Sequence, residues 1–258
     1  MQKIALTIAG SDPSGGAGVQ ADLKVFSKFQ TYGMGIFTLH TVQNTQGVQK
    51  VDFIDHNLVI DQLNALSNDL DPDAIKTGVL GSAEVVDALA YKIPRLPKAC
   101  PLVIDPILKS TSDFSLLTSE AFEILRDKLL PLAYICTPNL EEATALSERE
   151  VYDLASMRKA AASIALRGVK NVLITGGHLQ EQAIDILWTN GQAYELPSAK
   201  IDTPHTHGTG CALSAAICAN LALKKSLNDS IKLAKKFILN AIMTNPQLGR
   251  GKGPLNLL

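Results

Sequence analysis

Apolar and β-branched residues cluster in short runs at Ile4 to Ala9, Ile36 to Val42, Ala74 to Thr77, Leu102 to Asp105, Tyr134 to Thr137 and Val172 to Thr175. Such runs predict strands buried on both faces of a parallel sheet. Between most of them the spacing changes to a helical period, as in Leu58, Gln62, Leu63 and Leu66, or Ala121, Phe122, Leu125 and Leu129, where one apolar face packs on a sheet. Alternation of this kind implies βαβ units. Beyond the last run, Ile184 to Thr189 and Gln192 to Leu196 flank Asn190-Gly191, a strong hairpin signal that predicts an antiparallel edge. Two helices follow. One, from about Thr209 to Leu223, is apolar on nearly every side; the other, from about Asn228 to Thr244, carries a stripe through Ile231, Ala234, Ile238 and Ala241. No repeat or linker interrupts the 258 residues, so one α/β domain over 1–258 is expected.

Composition narrows the partners. With 46% apolar and 19% charged side chains the chain can bury a full core, and 24 Lys and Arg balance 25 Asp and Glu. No run of like charge is long enough to track a phosphate backbone, so nucleic acid is not expected as a partner. The apolar start, Ile4 to Gly10, is cut short by Ser11, Asp12 and Pro13. It is too brief for a signal peptide or a membrane span, and a cytoplasmic protein is expected. Cys100, Cys136, Cys211 and Cys218 form no C-x-x-C pair, which points to core filling rather than zinc or a disulfide framework, with Cys211 the exception. His40, in an apolar run, reads as a core histidine, and Trp188 as packing.

Four segments can carry chemistry. Ala9-Gly10-Ser11-Asp12-Pro13-Ser14-Gly15-Gly16-Ala17-Gly18 joins a strand to a helix; it is either a tight turn or a loop whose backbone approaches a ligand. Neither the P-loop nor the dinucleotide fingerprint fits it. Thr206-His207-Gly208-Thr209-Gly210-Cys211 opens the apolar helix, and amides converging at a helix start can stabilise a transferring phosphoryl group. Cys211 then lies in the first helical turn. That position either lowers its pKa and supplies a thiolate base, or holds a small core residue. Thr137-Pro138-Asn139-Leu140-Glu141-Glu142 sits at a helix mouth, where Asn139 and Glu142 can orient phosphates and a hydrated Mg²⁺, form a capping pair, or do both. Asp105-Pro106 ends a strand, as a ligand-facing carboxylate or a turn residue does.

Residues 7 to 24, the segment Val42-Gln43-Asn44-Thr45-Gln46-Gly47-Val48 and Thr206 to Cys211 together resemble the hydroxymethylpyrimidine/phosphomethylpyrimidine kinases of thiamine biosynthesis. Thr137-Pro138-Asn139, Gly176-Gly177-His178 and Gly249-x-Gly251-x-Gly253-Pro254-Leu255-Asn256 extend the resemblance over essentially the whole chain. It implies a ribokinase-like three-layer sandwich, with helices on both sides of a mainly parallel sheet. It also implies ATP and Mg²⁺ as cofactors, a pyrimidine substrate phosphorylated twice, and a homodimer.

On the same ground Gly208, Thr209, Gly210 and Cys211 are expected around the γ-phosphate. Gly10, Asp22 and Gln43 are expected on the pyrimidine, with Ala17 and Val79 as apolar walls. Asn139, Thr175 and Gly177 are expected on ATP, and Asp105 and Glu142 on the metal. The family's usual Lys before Gly-Gly-His is Thr175 here, and Lys109, shifted earlier than the family's Ala-Lys-Ser-Gly pattern places it, is expected to compensate. Pyridoxal kinases are the nearest alternative, disfavoured by Gln43-Asn44 and the glycine-punctuated tail. A non-catalytic vitamin- or nucleotide-binding module would carry a degraded anion turn, whereas positions 208–211 are intact.

Overall fold

A computed structural model describes residues 2–109, 114–177 and 183–258. In chain order the elements are β1 (Ile4–Ala9), α1 (Gly18–Lys28), β2 (Tyr32–Phe37), β3 (Leu39–Asn44), β4 (Gly47–Phe53), α2 (His56–Ser67), β5 (Ala74–Thr77), α3 (Ala83–Lys92), β6 (Leu102–Ile104), α4 (Ser119–Ile124), β7 (Ile135–Cys136), α5 (Leu140–Ser147), α6 (Leu154–Ala165), β8 (Asn171–Ile174), β9 (Ala183–Thr189), β10 (Gln192–Ser198), α7 (Thr209–Ala222) and α8 (Leu227–Met243). Strands run in the order β10-β9-β8-β7-β6-β5-β1-β2, while β3 and β4 form a separate two-stranded sheet. From β2 to β8 neighbouring strands are parallel; β9 and β10 form the antiparallel edge.

The strand residues divide by alternation. Leu6, Ile75, Ile104, Cys136 and Ile174 join α2 to α6 in one core. Ala5, Ala74, Val103, Ile135 and Leu173 join α1, α7 and α8 in the other. Period-two alternation on a sheet covered on both sides makes the three layers, and it is why each strand reads as continuously apolar. Helix α7 is buried at every position from Ala212 to Ala222, which accounts for its lack of a polar face.

Two expectations are corrected. The run Ile36 to Val42 is not one strand. The chain leaves the large sheet at Thr38, whose amide donates to Ala9 O and whose hydroxyl donates to Val79 O at 2.7 Å. It then continues as the β3–β4 hairpin, and no Gly or Pro marks the break. His40 consequently stands exposed on that hairpin, its ring 5.7 Å from that of Phe37, rather than in the core. Trp188 packs on the core as expected.

Candidate active site

The carboxyl ends of the parallel strands converge on one region. Gly10 follows β1, Val79 follows β5, Asp105 follows β6, Asn139 follows β7 and Thr175 follows β8. Between β1 and β5 the strand order reverses, because β1 leads outward to β2 and the chain returns to β5 on the other side. Open α/β sheets bind ligands at such a crevice.

The glycine-rich loop and the anion turn meet there. Gly208 takes φ +82° as the cap of α7, and a Cβ on it would overlap the carbonyl oxygen of Gly16 and stand 3.4 Å from the Ala17 Cα. Only glycine satisfies both the left-handed backbone and that approach. Sequence reading missed the residue that shapes the loop. The buried Asp12 accepts from Ser14 N and Oγ at 2.8 and 2.7 Å, from Gly16 N at 3.2 Å and from Ala17 N at 2.8 Å. It also faces His207 Nε2 at 2.9 Å. Burial opposes ionisation of Asp12, but hydrogen bonds from His207, Gln43 and Ser14 outweigh it and hold the carboxyl well below its ordinary range. Its signal in the sequence was an Asx turn at Asp12-Pro13-Ser14. Gly10 lies against Leu39 and, through a virtual Cβ, 3.7 Å from the Val79 Cβ. Gly10 is thus packed beside Val79, and Ala17 is tied to Asp12.

In the anion turn, both the amide and the hydroxyl of Thr209 donate back to Thr206 O, at 3.2 and 2.7 Å. The amides of Gly210 and Cys211 occupy first-turn positions that have no partner within a helix. Amides in such positions are the ones a bound phosphate would meet. Asp105 and the Gly18 amide stand near the Cys211 thiol and act on its titration. Burial pushes it up to about 12, with nearby Lys76 only partly offsetting this. The direction is opposite to that expected from its place at a helix start: desolvation outweighs the helix dipole, and the free protein holds a thiol rather than a thiolate.

Asp22 is also corrected. It is fully buried, pairs both oxygens with Lys76 Nζ at 2.8 and 2.7 Å, and accepts from Thr7 Oγ1 at 2.6 Å. No surface of it faces the mouth. Burial raises its pKa and Lys76 lowers it; the Lys76 cation, opposed by burial but held by Asp22, Cys211 and Asp105, is raised. Lys76 was legible as a lone charge inside an apolar strand, and its pairing to a helix residue was not.

Asp105 and Glu142 differ. Asp105 accepts from Ser214 Oγ at 3.0 Å, and its Oδ1 lies 4.0 Å from a virtual Cβ on Gly210. Burial pushes it up to about 6 despite Lys76. Glu142 makes the reciprocal capping box with Asn139, each bond 2.9 Å, so the capping reading of this pair holds. Burial and then the Asp105 charge push Glu142 up to about 8. Thr175 donates its amide to Pro138 O at 2.9 Å, beside Asn139, and Gly177 is exposed. Lys109 is exposed and bridges to Ser115. His178 and Ser110 to Ser112 lie outside the described residues.

A three-layer sheet whose ligand end presses a glycine-rich loop against an anion-cradling helix start is the architecture of the ribokinase-like vitamin kinases, and this chain falls in that class. It belongs to the phosphomethylpyrimidine kinase family, whose model matches residues 12–256. A hydroxymethylpyrimidine/phosphomethylpyrimidine kinase of Staphylococcus aureus strain MSSA476 is 41% identical over 257 residues, covering 98% of this chain and 93% of that protein. The thiamine biosynthesis bifunctional protein ThiED of Geobacter sulfurreducens is 40% identical over 252 residues; the match covers 97% of this chain, which spans about half of that longer protein, 51%. Among solved structures, the ADP complex of Bacillus subtilis pyridoxal kinase superposes with a TM-score of 0.90 at 39% identity, covering 99% of this chain and 97% of that one.

Proposed function

We propose that the protein transfers the γ-phosphoryl group of ATP to 4-amino-5-hydroxymethyl-2-methylpyrimidine and then to its monophosphate, in thiamine biosynthesis. The observation that carries this reading is the direct contact between the loop at Gly16-Ala17 and the turn at Gly208, which sets a small-molecule mouth beside an anion cradle. Gln43 gives the mouth its polarity. Its side chain acts on Asp12, and a carboxamide turned with its nitrogen to that carboxylate presents its carbonyl oxygen to the pyrimidine amino group.

Asp105 and Glu142 suit Mg²⁺: two carboxylates, both raised by burial and Glu142 also by the Asp105 charge, are the hard oxygen donors that a phosphate-bound, partly hydrated cation takes. Among the described residues no cluster of three acidic, His or Cys ligands forms a dedicated metal cage. Asp105 and Glu142 would hold the ion, which would supply neutralisation of phosphate charge. Asn139 and Thr175 border the nucleotide side, and Lys109 supplies a cation at its rim. As the substrate hydroxyl oxygen bonds to phosphorus and the bond to ADP breaks, Cys211 takes the hydroxyl proton while passing its own to the neighbouring Asp105. The amides of Gly210 and Cys211 bind the phosphoryl oxygens throughout.

Two copies pair through the hairpin, on which Val42 and Phe53 stand 53% and 50% exposed; sedimentation at micromolar concentration checks this. No described helix is long and apolar enough to cross a membrane, and we place the enzyme in the cytoplasm. The similarity to a pyridoxal kinase favours pyridoxal as the second reading. Following ADP release with the pyrimidine alcohol, its monophosphate and pyridoxal decides between them: both pyrimidines outpace pyridoxal on the first reading, and the reverse order overturns it.

A further inference from the structure

The glycine-punctuated tail has no place in the chemistry above, yet it touches both ends of the site. At the tip of the β3–β4 hairpin, Thr45 Oγ1 accepts from Arg250 N at 3.2 Å and from Gly251 N at 3.3 Å. Cβ atoms on Gly249 or Gly251 would overlap Thr45, so the approach requires glycine at both positions. Further along, Gly253 N donates to His205 Nδ1 at 3.2 Å, and Gly253 O accepts from His207 N at 3.3 Å. Pro254 bridges to His207, directly before the anion turn. His207 faces Asp12, and the loop that carries Asp12 is tied to the hairpin that carries Thr45 by Thr41 Oγ1, which donates to Ser11 O at 2.8 Å. A chain of contacts therefore rings the mouth, and Gln43 on the same hairpin acts on Asp12 within it. It links the hairpin, the glycine-rich loop, the anion turn and the tail.

We propose that residues 249–254 are a positioning strap, latched on the Thr45 hydroxyl, which holds Gln43 in register with the anion turn so that pyrimidine and nucleotide binding strengthen each other. A hairpin tip tied only through β3 and β4 is free to tilt away from the sheet, since it belongs to its own two-stranded unit. The strap removes that freedom by bonding the tip to the segment that enters the phosphate site. An ATP phosphate seated on the Gly210 and Cys211 amides steadies His205 to His207, and through Gly253 and Gly251 steadies the hairpin. By reciprocity, a pyrimidine under the hairpin steadies the phosphate site.

This rests on the pyrimidine reading of the mouth, and the test separates the two. Calorimetric titration of hydroxymethylpyrimidine into the full chain, with and without Mg²⁺ and a non-hydrolysable ATP analogue, is performed on wild type, Thr45→Val and Thr45→Ser. The analogue is expected to tighten pyrimidine binding about tenfold in wild type, within the range usual for coupled sites. Thr45→Ser should keep that gain. Thr45→Val should lose most of it while its melting temperature and its nucleotide affinity measured alone stay near wild type. Coupling retained in Thr45→Val, lost in Thr45→Ser, or absent from wild type overturns the strap. Failure of wild type to bind the pyrimidine while binding pyridoxal overturns the substrate reading instead, and the same titrations with pyridoxal then decide the strap.

Discussion

Two buried pairs of ionisable side chains, Asp22 with Lys76 and Asp105 with Glu142, are finished to different degrees. Asp22 has its countercharge within the fold: Lys76 lies at 2.7 Å, both side chains are fully buried, and Thr7 adds a hydrogen bond. Burial raises both Asp105 and Glu142, to about 6 and about 8, and the Asp105 charge adds to the rise at Glu142. Lys76 pulls Asp105 down without offsetting its burial. A buried charge that is paired internally serves the fold. A pair left short of positive charge at the ligand end of a sheet is completed by what binds there.

Breaking the finished pair gives the largest expected effect. Lys76→Met or Asp22→Asn alone leaves a buried charge without its partner and should cost about 3–5 kcal/mol, a cost read in denaturant unfolding. The double variant Lys76→Met with Asp22→Leu should recover most of it. Equal losses in the single and double variants would remove the distinction between the pairs. Next comes Cys211, which touches the open pair through Asp105. Cys211→Ala should lower kcat about a hundredfold with KM nearly unchanged, as expected for a group acting on the proton in flight. Unchanged turnover returns it to core filling.

Glu142 then tests the open pair by pH. Its folded pKa of about 8 lies above the ordinary 4.5. Between those values the folded protein keeps a proton that the unfolded chain has released, so metal-free stability falls as pH rises across that window. Glu142→Gln removes this dependence and should be more stable than wild type at pH 8 by about 2 kcal/mol, roughly 5 °C in Tm, with little difference at pH 4. Parallel melting curves at both pH values would contradict it. The smallest effect is expected at the rim, where Lys109→Met should weaken ATP binding by about 1 kcal/mol, as an exposed charge does. Unchanged ATP affinity would end the idea that Lys109 compensates for Thr175.

What the sequence displayed and what it hid follow from the range of each interaction. The β9–β10 hairpin was legible because Asn190-Gly191 is a local signal, and the three layers because β1 and β5 to β8 are covered on both faces. Gly208 and Gly10 were legible as turn chemistry. The role of Asp22 was not, because its partner is 54 residues away on β5; in sequence it reads as one more polar residue after a glycine-rich loop. The break at Thr38 was hidden for a similar reason. The hydrogen bond that turns the chain out of the sheet goes to Val79, beyond any local pattern. The helix-start argument for a lowered Cys211 pKa was sound in sign, and burial reversed the outcome.

Both phosphorylations are proposed to take place between the glycine-rich loop and the anion turn. Counting ADP released per hydroxymethylpyrimidine consumed, with excess Mg-ATP and the product resolved by ³¹P NMR, tests this most directly. Two ADP per pyrimidine and a pyrophosphate ester as the final product are predicted. Release that stops at one ADP, with the monophosphate accumulating unchanged, would contradict it.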